Sequence, residues 1–163
     1  MLKTTLFDFH KNADISQWRI INDAVMGGIS KSEFSVNNEG NGVFKGAVSL
    51  DNNGGFSMVK YSFPEVEIKF FTKIKILLKG DFKNYQVRIK ADTSIDYSYV
   101  KGITTSDNWQ EIEIVLSDFT PAFRGKQLDI PNFHQNKISE IAFLIGNKKT
   151  ENFEIQLNKI ELI

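Results

Sequence analysis

Lys73-Ile74-Lys75-Ile76-Leu77-Leu78-Lys79 is the stretch on which the reading of this chain turns. Ile74, Ile76 and Leu78 alternate with Lys73, Lys75 and Lys79, so the apolar set falls on one face of an extended chain and the charges on the other. A strand with one face on a core and one in water is characteristic of antiparallel sheets. The same alternation follows downstream. Tyr85, Val87 and Ile89 alternate with Gln86, Arg88 and Lys90, and Ile112, Ile114 and Leu116 with Glu111, Glu113 and Val115. Ile141-Ala142-Phe143-Leu144-Ile145 is apolar without alternation and is followed by Gly146, which predicts a strand buried on both faces. Phe153, Ile155 and Leu157 alternate before the phase slips to Ile160 and Leu162, as a β-bulge near Asn158-Lys159 would require.

Turn signals separate these runs. Asn37-Asn38-Glu39-Gly40-Asn41-Gly42 should join two antiparallel strands, with Asn-Gly supplying positive φ. Asp51-Asn52-Asn53-Gly54-Gly55, Lys79-Gly80-Asp81 and Ser106-Asp107-Asn108 are further turns. About ten short strands at this spacing predict an all-β fold, an antiparallel β-sandwich of the jelly-roll kind. No linker, repeat or low-complexity segment interrupts the chain, and 163 residues suit one domain over 1–163. Fourteen phenylalanines favour pleated, half-buried strands and a Phe-rich interior.

Lys+Arg and Asp+Glu are both 20, so the basic surplus of a nucleic-acid binder is absent. Lys69, Lys73, Lys75 and Lys79 read as a solvated strand face. The absence of cysteine excludes disulfides, thiolate catalysis and Cys-ligated zinc, and fits a reducing compartment. Residues 1–9 hold no secretory apolar run, and nowhere is there the roughly 18-residue apolar stretch of a membrane span. The expectation is a cytoplasmic protein.

Catalytic motifs fail one by one. Gly40-Asn41-Gly42-Val43-Phe44-Lys45-Gly46 misplaces the third glycine of a dinucleotide fingerprint, and Gly28-Ile29-Ser30-Lys31-Ser32 lacks the Gly-Lys pair of a phosphate loop. His10 and His134 alone cannot build a common zinc site and read as structural residues. Glu111 and Glu113 sit at strand spacing and point outward together, unlike a glycosidase pair facing across a cleft. No cofactor, metal site or catalytic group is expected.

Three segments differ from ordinary strands and turns: Trp18 through Ser30, Leu50 through Ser57, and Asp118 through Gly125. Gly27-Gly28 and Gly54-Gly55 either make tight turns or line a pocket with backbone. Asp23, Met26, Gly27, Gly28, Ser30, Asn52, Asn53 and Arg124 are the candidate ligand-binding residues, converging at one end of the sandwich. Arg124 either clamps a carboxylate or phosphate bidentately or pairs with Asp23 or Asp118 to fix the loops. Trp18 and Trp109 are expected as core anchors.

The same residues resemble the complex I intermediate-associated protein 30 family. The matching strings are Trp18, Asn22-Asp23-x-Val25-Met26-Gly27-Gly28-x-Ser30, Phe44-x-Gly46, Asn52-Asn53-Gly54-Gly55-Phe56 and Phe119-x-Pro121-x-Phe123-Arg124-Gly125. The closing Ile141–Ile145 stretch through Phe153 matches as well, so the resemblance covers nearly the whole chain in order. It implies a fold similar to galactose-binding-like jelly rolls, and a length similar to stand-alone bacterial members. For function it implies a non-catalytic binding module with a protein partner, like the respiratory complex I assembly factors of the family. A carbohydrate- or small-ligand-binding module is the alternative reading, ahead of an enzyme.

Overall fold

Why alternation becomes a sandwich is visible in the computed structural model, which describes residues 3–22, 29–51 and 54–163. In chain order its strands are β1 (Thr4–Asp8), β2 (Trp18–Asn22), β3 (Lys31–Val36), β4 (Gly42–Val48), β5 (Ser57–Glu67), β6 (Lys73–Lys79), β7 (Asn84–Lys90), β8 (Ser98–Thr104), β9 (Trp109–Val115), β10 (Thr120–Phe123), β11 (Lys126–Gln127), β12 (Lys137–Ile145) and β13 (Glu151–Leu162). A 3₁₀ turn, Leu116–Asp118, links β9 to β10. The strands form two antiparallel sheets. One has the order β3-β4-β13-β6-β9, with β1 also paired to β13, and the other β11-β10-β8-β7-β12-β5-β2.

Each alternating run lands as its period requires. Ile74, Ile76 and Leu78 are fully buried while the lysines between them remain partly exposed. Lys73 meets Glu113 across the β6–β9 pair at 3.2 Å, and Lys75 lies 3.7 Å from Glu161, so this sheet's outer face is a mosaic of balanced charges. Glu111 and Glu113 point outward beside them. Lys69 lies in the turn after β5, its ammonium 5.5 Å from the Phe70 ring.

Between the sheets the interior is aromatic at one side. Trp18 stacks on Tyr61 at 4.9 Å and on Phe34 at 4.8 Å, with Phe7 and Phe9 packed against its edges. Phe44, Phe153 and Tyr85 form a second group. Rings paired in this way contribute about 0.5–1.5 kcal/mol each beyond their buried area. The expected bulge is present: the β13–β6 register slips between Leu157 and Lys159, which keeps both halves of β13 facing the core.

Two expectations need correction. Trp109 is not a core anchor but 41% exposed, because it pairs with Lys79 and shares the outward parity of Glu111 and Glu113, opposite to Ile112 and Ile114. In the β3–β4 hairpin the positive φ belongs to Gly40, at 85°, and not to an Asn-Gly pair. Gly42 is instead a strand residue, glycine because a Cβ there would stand 2.5 Å from the Phe9 ring.

Polar side chains tie the sheets together where apolar packing ends. Asp81, between β6 and β7, accepts the Tyr85 hydroxyl at 3.0 Å and the backbone N–H of Glu154 at 2.8 Å. Burial, then the Asp81 charge, push the Tyr85 phenol well above its ordinary value. The folded state therefore binds a proton that the unfolded chain releases above about pH 10, and stability is intact below that pH and lost as pH rises through it. Tyr85→Phe should lower stability by about 1 kcal/mol at pH 7 and flatten its fall between about pH 10 and 12, read from urea unfolding at each pH.

Gly46 lies where β3 crosses closest, and a Cβ there would overlap the Lys31 carbonyl oxygen and Ser32. Gly46→Ala is expected to cost about 2–4 kcal/mol, as other overpacked sites do, whereas Gly102→Ala should stay within about 0.5 kcal/mol. A Cβ on Gly102 meets nothing within 4 Å. Paired denaturation curves measure the difference.

Candidate functional site

The glycine-bearing segments anticipated as a site divide between the two ends of the sandwich. Asp23, Met26, Gly27, Gly28, Asn52 and Asn53 lie outside the described residues. The residues on either side of them do come together. Asn22 pairs with Ser57 at the end of β2, and Ser57 shares a hydrogen bond with Ser32 of the opposite sheet. Ser30 is buried, and its hydroxyl accepts the N–H of Ser49 at 2.9 Å and faces the Ser49 carbonyl at 3.3 Å. Gly54 donates to the Asp51 carbonyl at 3.0 Å, and Gly55, at φ 144°, has its carbonyl 3.2 Å from where a Cβ on Gly146 would stand. The first two segments are thus anchored at one end, and Ser30 is one of the anchors.

Arg124 does not join them. It is the first of two residues, Arg124 at φ 50° and Gly125 at φ 80°, that close the β10–β11 hairpin, where Phe123 faces Lys126. Two successive positive φ angles are the geometry of a two-residue hairpin, which explains the glycine. β10 and β2 are five strand steps apart in the sheet order. The cross-strand registers also align the start of β10 with the Trp18 end of β2 rather than with Asn22. Arg124 is exposed, has no described carboxylate within ion-pair distance, and lies 5.2 Å from the Phe123 ring, so it neither pairs with Asp118 nor faces Ser30.

The unusual chemistry is instead on the outer face of the seven-stranded sheet. Registers place Arg19, Ile21, Met58, Lys60, Gln86, Arg88, Lys90, Glu140, Ala142 and Leu144 on that side. The two sheets pack through their other faces, and none of these residues belongs to the core cluster. Even so, Glu140 is 4% exposed, Ala142 1% and Leu144 7%. The expectation of a strand buried on both faces therefore holds, with Met58 and Lys60 of β5 and Gln86 and Arg88 of β7 flanking β12 on the outer side. Lys60 lies 3.6 Å from Glu140, and the Lys90 ammonium donates to the Ile95 carbonyl at 2.7 Å. Arg88 stands apart. Its Nε is sealed from solvent without a hydrogen-bond partner, and burial lowers its pKa, opposed by the charge of Glu140. A buried donor left unpaired costs about 1–3 kcal/mol and calls for an explanation.

Beside this cluster, toward the Asn84 end, a cavity of about 360 Å³ is lined by Asn84, Gln86, Thr104, Leu144 and Asn147, with Gly102 and Gly146 leaving it open. Its polar groups are carboxamides and a hydroxyl, without an acid–base pair. His10 and His134 are exposed, His134 Nδ1 lying 3.0 Å from the Asn132 carbonyl. Among the described residues no group of three His, Asp or Glu could hold a metal, and no helix is long and apolar enough to cross a membrane.

Sequence reading overlooked the outer-face cluster because Arg88 and Glu140 sit at alternating positions where a charged residue is expected to meet water. The available signal was Glu140 itself, a carboxylate directly before the apolar run Ile141–Ile145.

Comparison with known proteins agrees with the architecture. A family model described as complex I intermediate-associated protein 30 matches residues 7–157. The family 11 carbohydrate-binding module from Clostridium thermocellum, solved with a β-1,3-1,4-mixed-linked tetrasaccharide, superposes with TM-score 0.72 at 20% identity, covering 99% of this chain and 95% of that one. The agarase AgWH50C gives TM-score 0.63 at 13% identity over 98% of this chain and 24% of the enzyme. A structure described as family 4 carbohydrate-binding module structure and function gives 0.54 at 12%, over 93% of each chain. At these identities the likeness is one of fold. A search of curated proteins found no match.

If Lys60 offsets the buried Glu140 carboxylate, Lys60→Met should cost about 1–3 kcal/mol, and adding Glu140→Met should recover most of the loss, since removing both charges avoids an orphan. Chemical denaturation of the two single variants and the double variant closes the cycle.

Proposed function

This chain belongs to the complex I intermediate-associated protein 30 family, and from that premise we propose that it is a non-catalytic binding module that engages a protein partner, as an assembly factor does. The binding surface is the outer face of the seven-stranded sheet. One observation carries this reading: Arg88 offers a partly buried guanidinium, with no described hydrogen-bond partner, on a face whose own strands leave it unsatisfied. Such a group calls for an acceptor, which a bound partner can supply. We place the protein in the cytoplasm as part of the same reading, on its lack of cysteine.

A carbohydrate ligand is the second reading, favoured by the carboxamide-lined cavity and by the solved modules of similar fold. Against it, the paired outer-face positions of β2, β5, β7, β8 and β12 carry no aromatic ring on which a sugar could stack.

Photo-crosslinking in the native host distinguishes the two. A crosslinker at Met58, on the outer face of the seven-stranded sheet, should trap a discrete protein, and one at Glu113, on the opposite outer face, should not. Equal trapping from both positions, or none from Met58 together with a positive glycan array, would reject the protein-partner reading.

A further inference from the structure

The outer face of the seven-stranded sheet carries two rows of different chemistry side by side. One row crosses β7, β12, β5 and β2 as Gln86, Leu144, Met58 and Ile21, and its last three members are apolar. The next row, two residues along each strand, is Arg88, Ala142, Lys60 and Arg19, with three cations around a small residue. Each row spans three strand steps, roughly 14 Å, and the rows lie roughly 7 Å apart. In a chain of zero formal net charge this surplus is local. Glu140 offsets one of these cations, Lys60, at 3.6 Å, whereas on the other sheet's outer face Lys45 meets Glu33, Lys73 meets Glu113 and Lys75 meets Glu161.

We propose that this face receives an acidic amphipathic helix of a partner protein, its apolar side chains over Met58 and Ile21, beside the buried Leu144, and its carboxylates over Arg88, Lys60 and Arg19. The proposal rests on the protein-partner reading above and names that partner's chemistry. A helix fits better than an extended peptide. Roughly ten helical residues cover 14 Å, and a helix presents an apolar stripe and a charged stripe to one surface, whereas an extended chain sends alternate residues to opposite sides. Met58 in the apolar row is a side chain that adapts to varied apolar surfaces. Arg88 is the anchor of the cationic row. A carboxylate can meet the guanidinium through its Nη nitrogens, the ones not sealed beside the buried Nε, with the planar geometry that favours arginine over lysine for this role. Lys60 is held toward Glu140 at 3.6 Å, which limits how it can meet a ligand, while Arg19 is exposed at the β2 edge.

The test selects a random displayed library of about 16-residue peptides, long enough for a helix of this span, against the full chain. A counter-screen uses the Arg19→Glu/Lys60→Gln variant, checked for folding by its amide spectrum. Enriched sequences should combine Asp or Glu with Leu, Ile or Met at helical spacing. The best synthetic peptide should shift the amides of Ile21, Met58, Lys60, Arg88 and Leu144 in the wild-type chain, and bind the variant at least about tenfold more weakly. It should also weaken as salt is raised, as an interaction between charged groups does.

Should the variant not fold, shift mapping and salt dependence on the wild type decide alone. No enrichment, enrichment of neutral or basic peptides, shifts on the six-stranded sheet, or affinity indifferent to both variant and salt would overturn the proposal. If Met58 still traps a protein while the library rejects acidic helices, the binding-module reading stands and this inference alone falls.

Discussion

In an antiparallel ladder, residues that face each other across the hydrogen bonds share a side of the sheet, so one register assigns every residue on both strands to the core or to the outside. Here the controlling registers are those of β12, which lies between β5 and β7. Phe143 faces Val59 and Val87, all three fully buried in the interior. Ala142 faces Lys60 and Arg88, and that parity puts the cations, Glu140 and the apolar row together on the opposite side. A slip of β12 by one residue would send Glu140 into the core and Phe143 to the outer face.

Much of this was readable from residue order because period two is a local signal. The burial of Ile74, Ile76 and Leu78, the doubly buried run at Ile141–Ile145 and the bulge before Lys159 all follow from counting along one strand. Trp109 shows how the count fails when chemistry is trusted over parity: an aromatic ring suggests a core, but its odd number places it with Glu111 and Glu113. The candidate site was less legible. Whether Arg124 meets Ser30 depends on strand order, which no local pattern encodes, and the order separates them. The Arg88–Glu140–Lys60 grouping likewise appears only once β7, β12 and β5 are neighbours.

The strings that carry the family resemblance therefore have more than one physical origin. Phe44-x-Gly46 joins a fully buried ring to a position with no room for a Cβ beneath β3. Phe119 is fully buried, Pro121 faces Tyr99, and Phe123-Arg124-Gly125 runs into a hairpin that needs positive φ. Ser30 fixes the chain to Ser49 at the end of the β3–β4 pair. In these cases the motif residues hold the backbone in place, while the chemistry suited to a partner sits on strands whose sequence looks ordinary.

The position of β13 has a consequence for biogenesis. It is the last strand in the chain, yet it lies inside the six-stranded sheet, hydrogen-bonded to β4 and β1 along one edge and to β6 along the other. On the ribosome, the β3–β4 and β6–β9 pairs cannot join into one sheet until residues 151–162 have emerged, and β1 must wait for a partner about 150 positions away in the chain. Contacts of such long separation fold slowly, so the nascent polypeptide spends its synthesis with unpaired strand edges and a phenylalanine-rich interior open to chaperones.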